Sequence, residues 1–374
     1  TSRSDRQCRK IINRGGRENR EGMVVVMGCF ARMKGRYPGC PDNVIFIEAH
    51  EPSRVAVEIL ERLGAGGGEG IPPGPFVDDV ARPPLKVQDG CDNGCAFCTV
   101  WLARGRPRSV PWEKVLEDLE ALKKAGAREV VLTGINLGTW GRDLGESGGL
   151  PALLAEILPR LPVERVRLSS LEPQHVDGRL LRLFREWPER LCPFLHLPLQ
   201  SEVNETLESM GRPYCFEEYA HGLAMAVETV PDICLGADVL CGFPGETRDG
   251  FESGAQRIRE LPLSYLHVFP FSPRPGTAAG DRPDQVPERE IKERARLMRQ
   301  LSSQKKEAFW RRQLGSVRLS ILEDRMCRVT GRRIATTDNY LRVSVEEHVG
   351  SLSGLVPVEV EAIHEGVLLG SIKG

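Results

Sequence analysis

Lys86-Val87-Gln88-Asp89-Gly90-Cys91-Asp92-Asn93-Gly94-Cys95-Ala96-Phe97-Cys98-Thr99-Val100 sets three cysteines in a C-x3-C-x2-C array, directly after a short apolar run, Leu85 to Val87, that reads as a strand. Gly90 and Gly94 let the backbone fold tightly enough for three thiolates to converge. A 4Fe-4S cube normally takes four cysteine ligands, so three close ones leave one iron open. An open metal position marks a catalytic rather than a structural site. The alternative is a zinc knuckle completed by a distant Cys or His. Zinc sites favour paired C-x2-C knuckles, and this chain of 374 residues has no second pair.

Outward from this stretch, strands and helices alternate. Strand candidates are Leu85–Val87, Glu129–Thr133, Arg165–Ser169, Phe194–Leu199, Ile233–Leu240 and Leu263–Phe271. Amphipathic helices fall between them, such as Trp112–Ala125 with Val115, Leu116, Leu119 and Leu122 on one face. Six β-α units imply a parallel sheet curled into a partial barrel. Barrel enzymes carry their chemistry on the loops after the strands, and the polar segments Thr133–Asn136, Ser169–Glu172, Gln200–Ser201, Gly242–Thr247 and Ser272–Thr277 all fall there. A long charged helix, Pro287 to Gln313, leaves the barrel. From Gly315 short alternating segments follow: Val317–Leu322, Met326–Thr330, Leu341–Val345, Val356–Ile363 and Gly366–Ile372. That spacing reads as a small antiparallel barrel.

The cysteine array resembles the cluster signature of the radical S-adenosylmethionine superfamily. Six further runs narrow the resemblance to its methylthiotransferases: CTVWLARGRPRSVP (98–111), VVLTGINLGTWGRDLG (130–145), RVRLSSLEP (165–173), FLHLPLQS (194–201), DVLCGFPGET (238–247) and HVFPFSPRPGTAA (267–279). The resemblance implies an α/β fold: a partial (β/α)6 radical-SAM barrel at 85–312, a remnant of an N-terminal α/β domain at 1–70, a linker at 71–84 and a small β-barrel, the TRAM domain, at 313–374. It implies Cys91, Cys95 and Cys98 as ligands of a 4Fe-4S cluster whose fourth iron is chelated by S-adenosyl-L-methionine. It also implies Thr133, Gly134, Asn136, Ser170 and Glu172 as cofactor-binding residues. Family members carry a proline where this chain has Trp101, and a glycine where it has Glu202. His196 and His267 read as barrel histidines satisfied by hydrogen bonds rather than as ligands.

Thr1-Ser2-Arg3-Ser4-Asp5-Arg6 resembles the stretch that follows an N-T-C-x-V-T motif in the family. The expectation is therefore an N-terminally truncated chain. Of three ligands to an auxiliary 4Fe-4S cluster it would retain one, Cys29, in VVVMGCFARM (24–33), with the other two upstream. At the other end, TTDNYLRVSV (336–345) resembles the T-x-N-Y signature of the TRAM domain, an RNA-binding barrel. Tyr340 is a candidate to stack on a base, with Arg328, Arg332, Arg333 and Arg342 at phosphates. A tyrosine packing on the barrel is the alternative.

Charge suits an anionic partner that touches both ends, with a plain solvated surface as the alternative. Overall, 51 Lys/Arg stand against 52 Asp/Glu, but residues 1–36 hold ten basic side chains against Asp5, Glu18 and Glu21. Residues 311–342 hold eight arginines against Glu323, Asp324 and Asp338. Eleven irregularly spaced cysteines argue against a secreted disulfide scaffold, and no apolar stretch approaches the roughly 20 residues of a membrane span. A cytoplasmic protein with no membrane partner is expected. The reaction implied is radical insertion of a methylthio group at C2 of N6-threonylcarbamoyladenosine, next to the anticodon of tRNA. It would need an electron donor and a sulfur source that the sequence does not identify. Rival readings are the isopentenyladenosine branch, the branch acting on an aspartate of a ribosomal protein, and, outside enzymes, an RNA-binding protein with a structural metal.

Overall fold

The structure, a computed structural model, describes residues 2–35, 37–48, 52–62, 82–346 and 354–373. All but the last three positions of the expected linker lie outside them. The chain divides into two compact units that cut across its sequence order. One joins residues 1–76, 90–106 and 272–282; the other joins 77–89, 107–271 and 283–374.

In the first unit α1 (Ser2–Glu18), β1 (Val24–Met27), α2 (Cys29–Lys34), β2 (Val44–Ile47) and α3 (Pro52–Arg62) follow in order. Strands β1 and β2 pair in parallel, Val24 opposite Val44. Ile12, Tyr37 and Val44 form the small buried core beneath them. This is the β-α layer expected at the N-terminus. The same unit holds the three-cysteine loop and α4 (Val100–Arg104).

The second unit is built on six parallel strands taken in sequence order. They are β3 (Pro84–Lys86), β6 (Glu129–Thr133), β7 (Arg165–Leu168), β8 (Phe194–His196), β9 (Cys234–Cys241) and β10 (Tyr265–Pro270), with the short pair β4 (Gln88–Asp89) and β5 (Arg108–Ser109) beside them. β3-β6-β7 and β8-β9-β10 form two ladders, joined by the bridge between Val166 and Leu191 and by the Leu171 N–H on the His196 carbonyl. Helices α5 (Trp112–Lys124), α6 (Gly149–Ile157), α7 (Gly178–Glu186), α8 (Asn204–Ser209), α9 (Phe216–Thr229) and α10 (Arg248–Glu260) provide the crossovers. Their apolar stripes explain the arrangement. Val115, Leu119 and Leu122 of α5, spaced by one turn each, bury against Val130 and Leu132 of β6 and Val166 and Leu168 of β7 in one continuous core. Polar residues stop the helices cleanly at their starts: Asp177 accepts the Leu180 N–H of α7, and Thr247 accepts the Gly250 N–H of α10.

Helix α11 (Glu288–Gln313) leads into a closed barrel of β11 (Val317–Met326), β12 (Arg333–Thr337), β13 (Arg342–Val345), β14 (Leu355–His364) and β15 (Val367–Ile372), in the spatial order β11-β12-β13-β15-β14. The strand expected at Met326–Thr330 does not form. There the chain turns, with the Gly331 N–H on the Cys327 carbonyl and Gly331 at φ +69°, and the strand forms at Arg333–Thr337 instead. Beneath the barrel lies an ion cluster: Glu129, fully buried, accepts from Arg165 (2.6 Å) and Arg167 (2.8 Å). The far ends of both guanidiniums reach barrel carbonyls, Arg165 that of Leu319 and Arg167 those of Thr337 and Asp338. Among the described residues no helix is long and apolar enough to cross a membrane.

Candidate active site

The cysteine loop is shaped by its own backbone. Gly90 has φ +79°, and a Cβ there would lie 2.1 Å from the Arg106 carbonyl oxygen. That close approach is what glycine permits. The Cys91 N–H donates to the Gly105 carbonyl at 3.0 Å, and the Cys98 N–H to the Cys95 carbonyl at 3.0 Å. The Arg104-Gly105-Arg106 segment thus clamps the start of the loop. Cys95 is buried, while Cys91 and Cys98 are half buried. Two thiols already receive backbone N–H groups, Cys91 Sγ from Asn93 (3.5 Å) and Cys98 Sγ from Val100 (3.3 Å). N–H donors of this kind to sulfur tune the potential of a bound cluster.

A brace arrives from far along the chain. Arg274 donates from Nη1 to Thr99 Oγ1 (3.2 Å), and the Ala279 N–H donates to the Ala96 carbonyl (2.9 Å). Thr277 holds the brace in shape. Its hydroxyl donates to the Arg274 carbonyl (2.8 Å) and accepts from the Gly280 N–H (3.2 Å). The S-P-R-P-G-T run therefore supports the ligand loop, a role that nothing local in the sequence signals.

Cys29 opens α2 and is exposed. Helix α2 lies against α4, the helix that follows the ligand loop. Cys8 sits on α1, and Cys40 beside Tyr37, whose hydroxyl donates to Asn13. In the first unit the structure thus brings Cys29's helix and the three-cysteine loop onto neighbouring helices.

The remaining candidates lie in the second unit. Thr133 ends β6 with its hydroxyl donating to the Leu85 carbonyl (3.2 Å). Gly134 and Asn136 fold around Gln88: the Asn136 N–H donates to Gln88 Oε1 (2.9 Å), and a Cβ on Gly134 would meet that oxygen at 3.0 Å. Gln88, a strand residue one step from the cysteine loop, is the organiser that sequence reasoning missed. Ser170 is exposed, whereas Glu172 is bound by Arg212, which also donates to Tyr214 (2.9 Å). Burial raises the Glu172 carboxyl, with Arg212 opposing. Glu172 therefore anchors a loop through Arg212.

His196 is satisfied as expected, with Nε2 at 2.8 Å from Asp238 and Nδ1 at 3.0 Å from the Tyr265 hydroxyl. His267 Nδ1 lies 3.5 Å from the same carboxylate. Despite burial, the two imidazoles hold Asp238 down to about 2.

Glu202 lies within electrostatic reach of Glu246 in the Gly242–Thr247 loop. It is buried against Gly254 of α10, where a Cβ would fall 1.7 Å from Glu202 Cγ. The glutamate in place of glycine is accommodated by a glycine on the neighbouring helix.

On the terminal barrel, Tyr340 sits at φ +69° with its ring 4.5 Å from that of Phe194 and the Arg167 guanidinium 5.3 Å from its centre. The packing alternative accounts for this tyrosine, because its ring is already engaged in joining barrel to sheet. The four arginines separate. Arg332 pairs with Glu346 (2.6 Å) and Arg333 with Asp324 (2.7 Å), while Arg328 and Arg342 are exposed.

A model of the radical SAM superfamily matches residues 85–258. The threonylcarbamoyladenosine tRNA methylthiotransferase MtaB of Aquifex aeolicus is 33% identical over 364 residues, 93% of this chain and 86% of that protein. MtaB of Bacillus subtilis is 31% identical over 96% of this chain and 83% of that protein. The chain belongs to the radical S-adenosylmethionine methylthiotransferases. The tRNA-2-methylthio-N(6)-dimethylallyladenosine synthase of Zymomonas mobilis, in the same family, is 35% identical over 64% of this chain and 54% of that protein.

The family's cofactors are a 4Fe-4S cluster and S-adenosyl-L-methionine, and the loop fits the cluster. It offers three thiols on one tight turn, two of them receiving backbone N–H groups, with a glycine where the backbone must approach within van der Waals distance. A structural zinc knuckle takes four protein ligands, of which this loop supplies three.

Proposed function

We propose that this enzyme inserts a methylthio group at C2 of N6-threonylcarbamoyladenosine next to the anticodon of tRNA, in the cytoplasm. The observation that carries this reading is the likeness, across more than nine-tenths of the chain, to a relative named for that substrate, together with a three-thiol loop built for an iron–sulfur cube. Cys91, Cys95 and Cys98 would hold the cluster. Bound together there, cluster and S-adenosyl-L-methionine supply a 5′-deoxyadenosyl radical able to take hydrogen from an unactivated C–H.

The chain's own residues bind, orient and shield. Arg274, Thr277 and Ala279 keep the ligand loop closed. The Thr133–Asn136 loop, fixed by Gln88, and the Ser169–Glu172 loop, fixed by Arg212, offer polar groups for the methionine and ribose parts of the cofactor. Cys29 would serve as one ligand of a second, auxiliary cluster, supported by the placement of α2 against α4. An electron donor and a sulfur source would act alongside it. Residues 85–312 would act as the catalytic barrel and 313–374 as the RNA-binding domain.

The dimethylallyladenosine relatives favour the second reading, modification of an isopentenylated adenosine. Anaerobically reconstituted enzyme offered tRNA bearing either base, with nucleosides read by mass spectrometry, separates the two. Methylthiolation of the threonylcarbamoyl base alone is the expected result. Product from the isopentenyl base alone would overturn the first reading.

A further inference from the structure

Between β10, α11 and the terminal barrel lies a cavity of about 510 Å³. Its charged lining is all of one sign. Arg299 and Lys306 come from α11 and Arg342 from β13, and no carboxylate lines it. Its walls are aromatic: Trp310 lies under the Lys306 ammonium at 4.4 Å, and Tyr340 closes the side toward the barrel.

This composition differs from a solvated basic surface. Two other arginines of the same barrel are neutralised, Arg332 by Glu346 and Arg333 by Asp324. Along α11, Lys292 and Arg311 are likewise paired with Glu288 and Glu307 one turn away. Three cations line this cavity, with no acid among the lining residues. Burial and the neighbouring Arg342 hold the Lys306 ammonium below its ordinary value. Neighbouring cations repel one another, and an anion placed among them removes that cost. An aromatic wall beside a group of cations is the arrangement that takes a nucleotide, the ring stacking and the phosphate paired.

We propose that this cavity binds one nucleotide of the tRNA outside the modified position, its phosphate held by Arg299, Lys306 and Arg342 and its base or ribose laid against Trp310. The proposal rests on the tRNA reading above and adds the place where the RNA is gripped. It also divides the arginines named from sequence: Arg342 binds RNA, whereas Arg332 and Arg333 hold the barrel's own acids.

The test is equilibrium binding of a labelled anticodon stem-loop to anaerobically reconstituted holoenzyme across a salt series. Lys306→Ala and Arg342→Ala are each expected to weaken binding by about fivefold to tenfold and to flatten the log Kd against log salt slope by about 0.7. Trp310→Ala is expected to weaken binding by about tenfold with the slope unchanged, because stacking releases no counter-ions. Lys123→Ala, on the exposed face of α5, is the charge-matched control and should bind as wild type. Iron content and unfolding midpoint, measured on every variant, show whether it has folded. If wild type binds the stem-loop and the three variants bind it equally well, the cavity assignment is overturned and the tRNA reading stands. If wild type binds no stem-loop, both fall.

Discussion

Arg167 ties two folds together: one face of its guanidinium pairs with Glu129 at 2.8 Å, and Nη1 donates to the carbonyl of Asp338 at 2.8 Å. One buried side chain thus fixes both the ion cluster of the sheet and the turn after β12. The turn supplies a carbonyl rather than a charge, so the contact depends on geometry and not on sequence identity at 338.

Glu129→Ala leaves two buried guanidiniums facing each other without their carboxylate, and such a loss costs roughly 3–5 kcal/mol. Burial alone would raise Glu129, but Arg167 and Arg165 overcome it and hold the carboxyl down to about 2. Its folded value is below its unfolded one, so the stabilisation is complete above about pH 4.3 and is lost as pH falls toward 2. Chemical unfolding of wild type and variant from pH 7 to pH 2.5 should show the gap between them closing on the acid side.

Gly90→Ala and Gly94→Ala test the ligand loop against each other. Both positions have positive φ, +79° and +62°, but a Cβ at 94 meets nothing within 4 Å, whereas at 90 it meets backbone at 2.1 Å. Gly94→Ala should cost about 1–2 kcal/mol and retain iron. Gly90→Ala should lose iron as completely as Cys95→Ala, read by iron analysis and the cluster's visible absorption after anaerobic reconstitution.

Thr277→Ala removes both hydroxyl bonds that shape the brace. A loss of about 1–2 kcal/mol is expected, concentrated in the loop. Hydrogen exchange at Cys98 and Ala279 should quicken, and the cluster should leave faster under a chelator, with exchange in β14 and β15 unchanged. Uniform quickening would contradict the local role.

Burial, with the Glu246 charge second, pushes the Glu202 carboxyl up to about 8. Folded protein therefore keeps a proton that the unfolded chain gives up above about pH 4.3, and stability falls as pH rises between those values. Glu202→Gln should flatten this slope and make the protein more stable than wild type at pH 8. Thermal melts at pH 6 and pH 8 check it.

Where an element depends on local periodicity, the sequence was enough. The α5 stripe of Val115, Leu119 and Leu122 and the strand at Glu129–Thr133 form where the pattern places them. So does the tight cysteine turn. What escaped notice is long-range. Gln88 reads as one more strand residue, and only the folded chain shows the Asn136 loop wrapped around its amide. Gly254 of α10 makes room for Glu202, which lies in the loop before α8. Glu172 reads as one more polar loop residue, and only the fold shows Arg212 at its carboxylate. The turn at Cys327–Gly331 displaced a strand because Gly331 adopts a left-handed conformation, which apolar alternation does not report.

The bond from Arg274 to Thr99 spans 175 residues, and this separation sets an order of events during synthesis. The ribosome delivers the three thiols early and their brace late. Any chain that ends before Arg274 carries Cys91, Cys95 and Cys98 without that brace. The ligand loop therefore gains this brace only once the segment that follows the last of the six strands has been made.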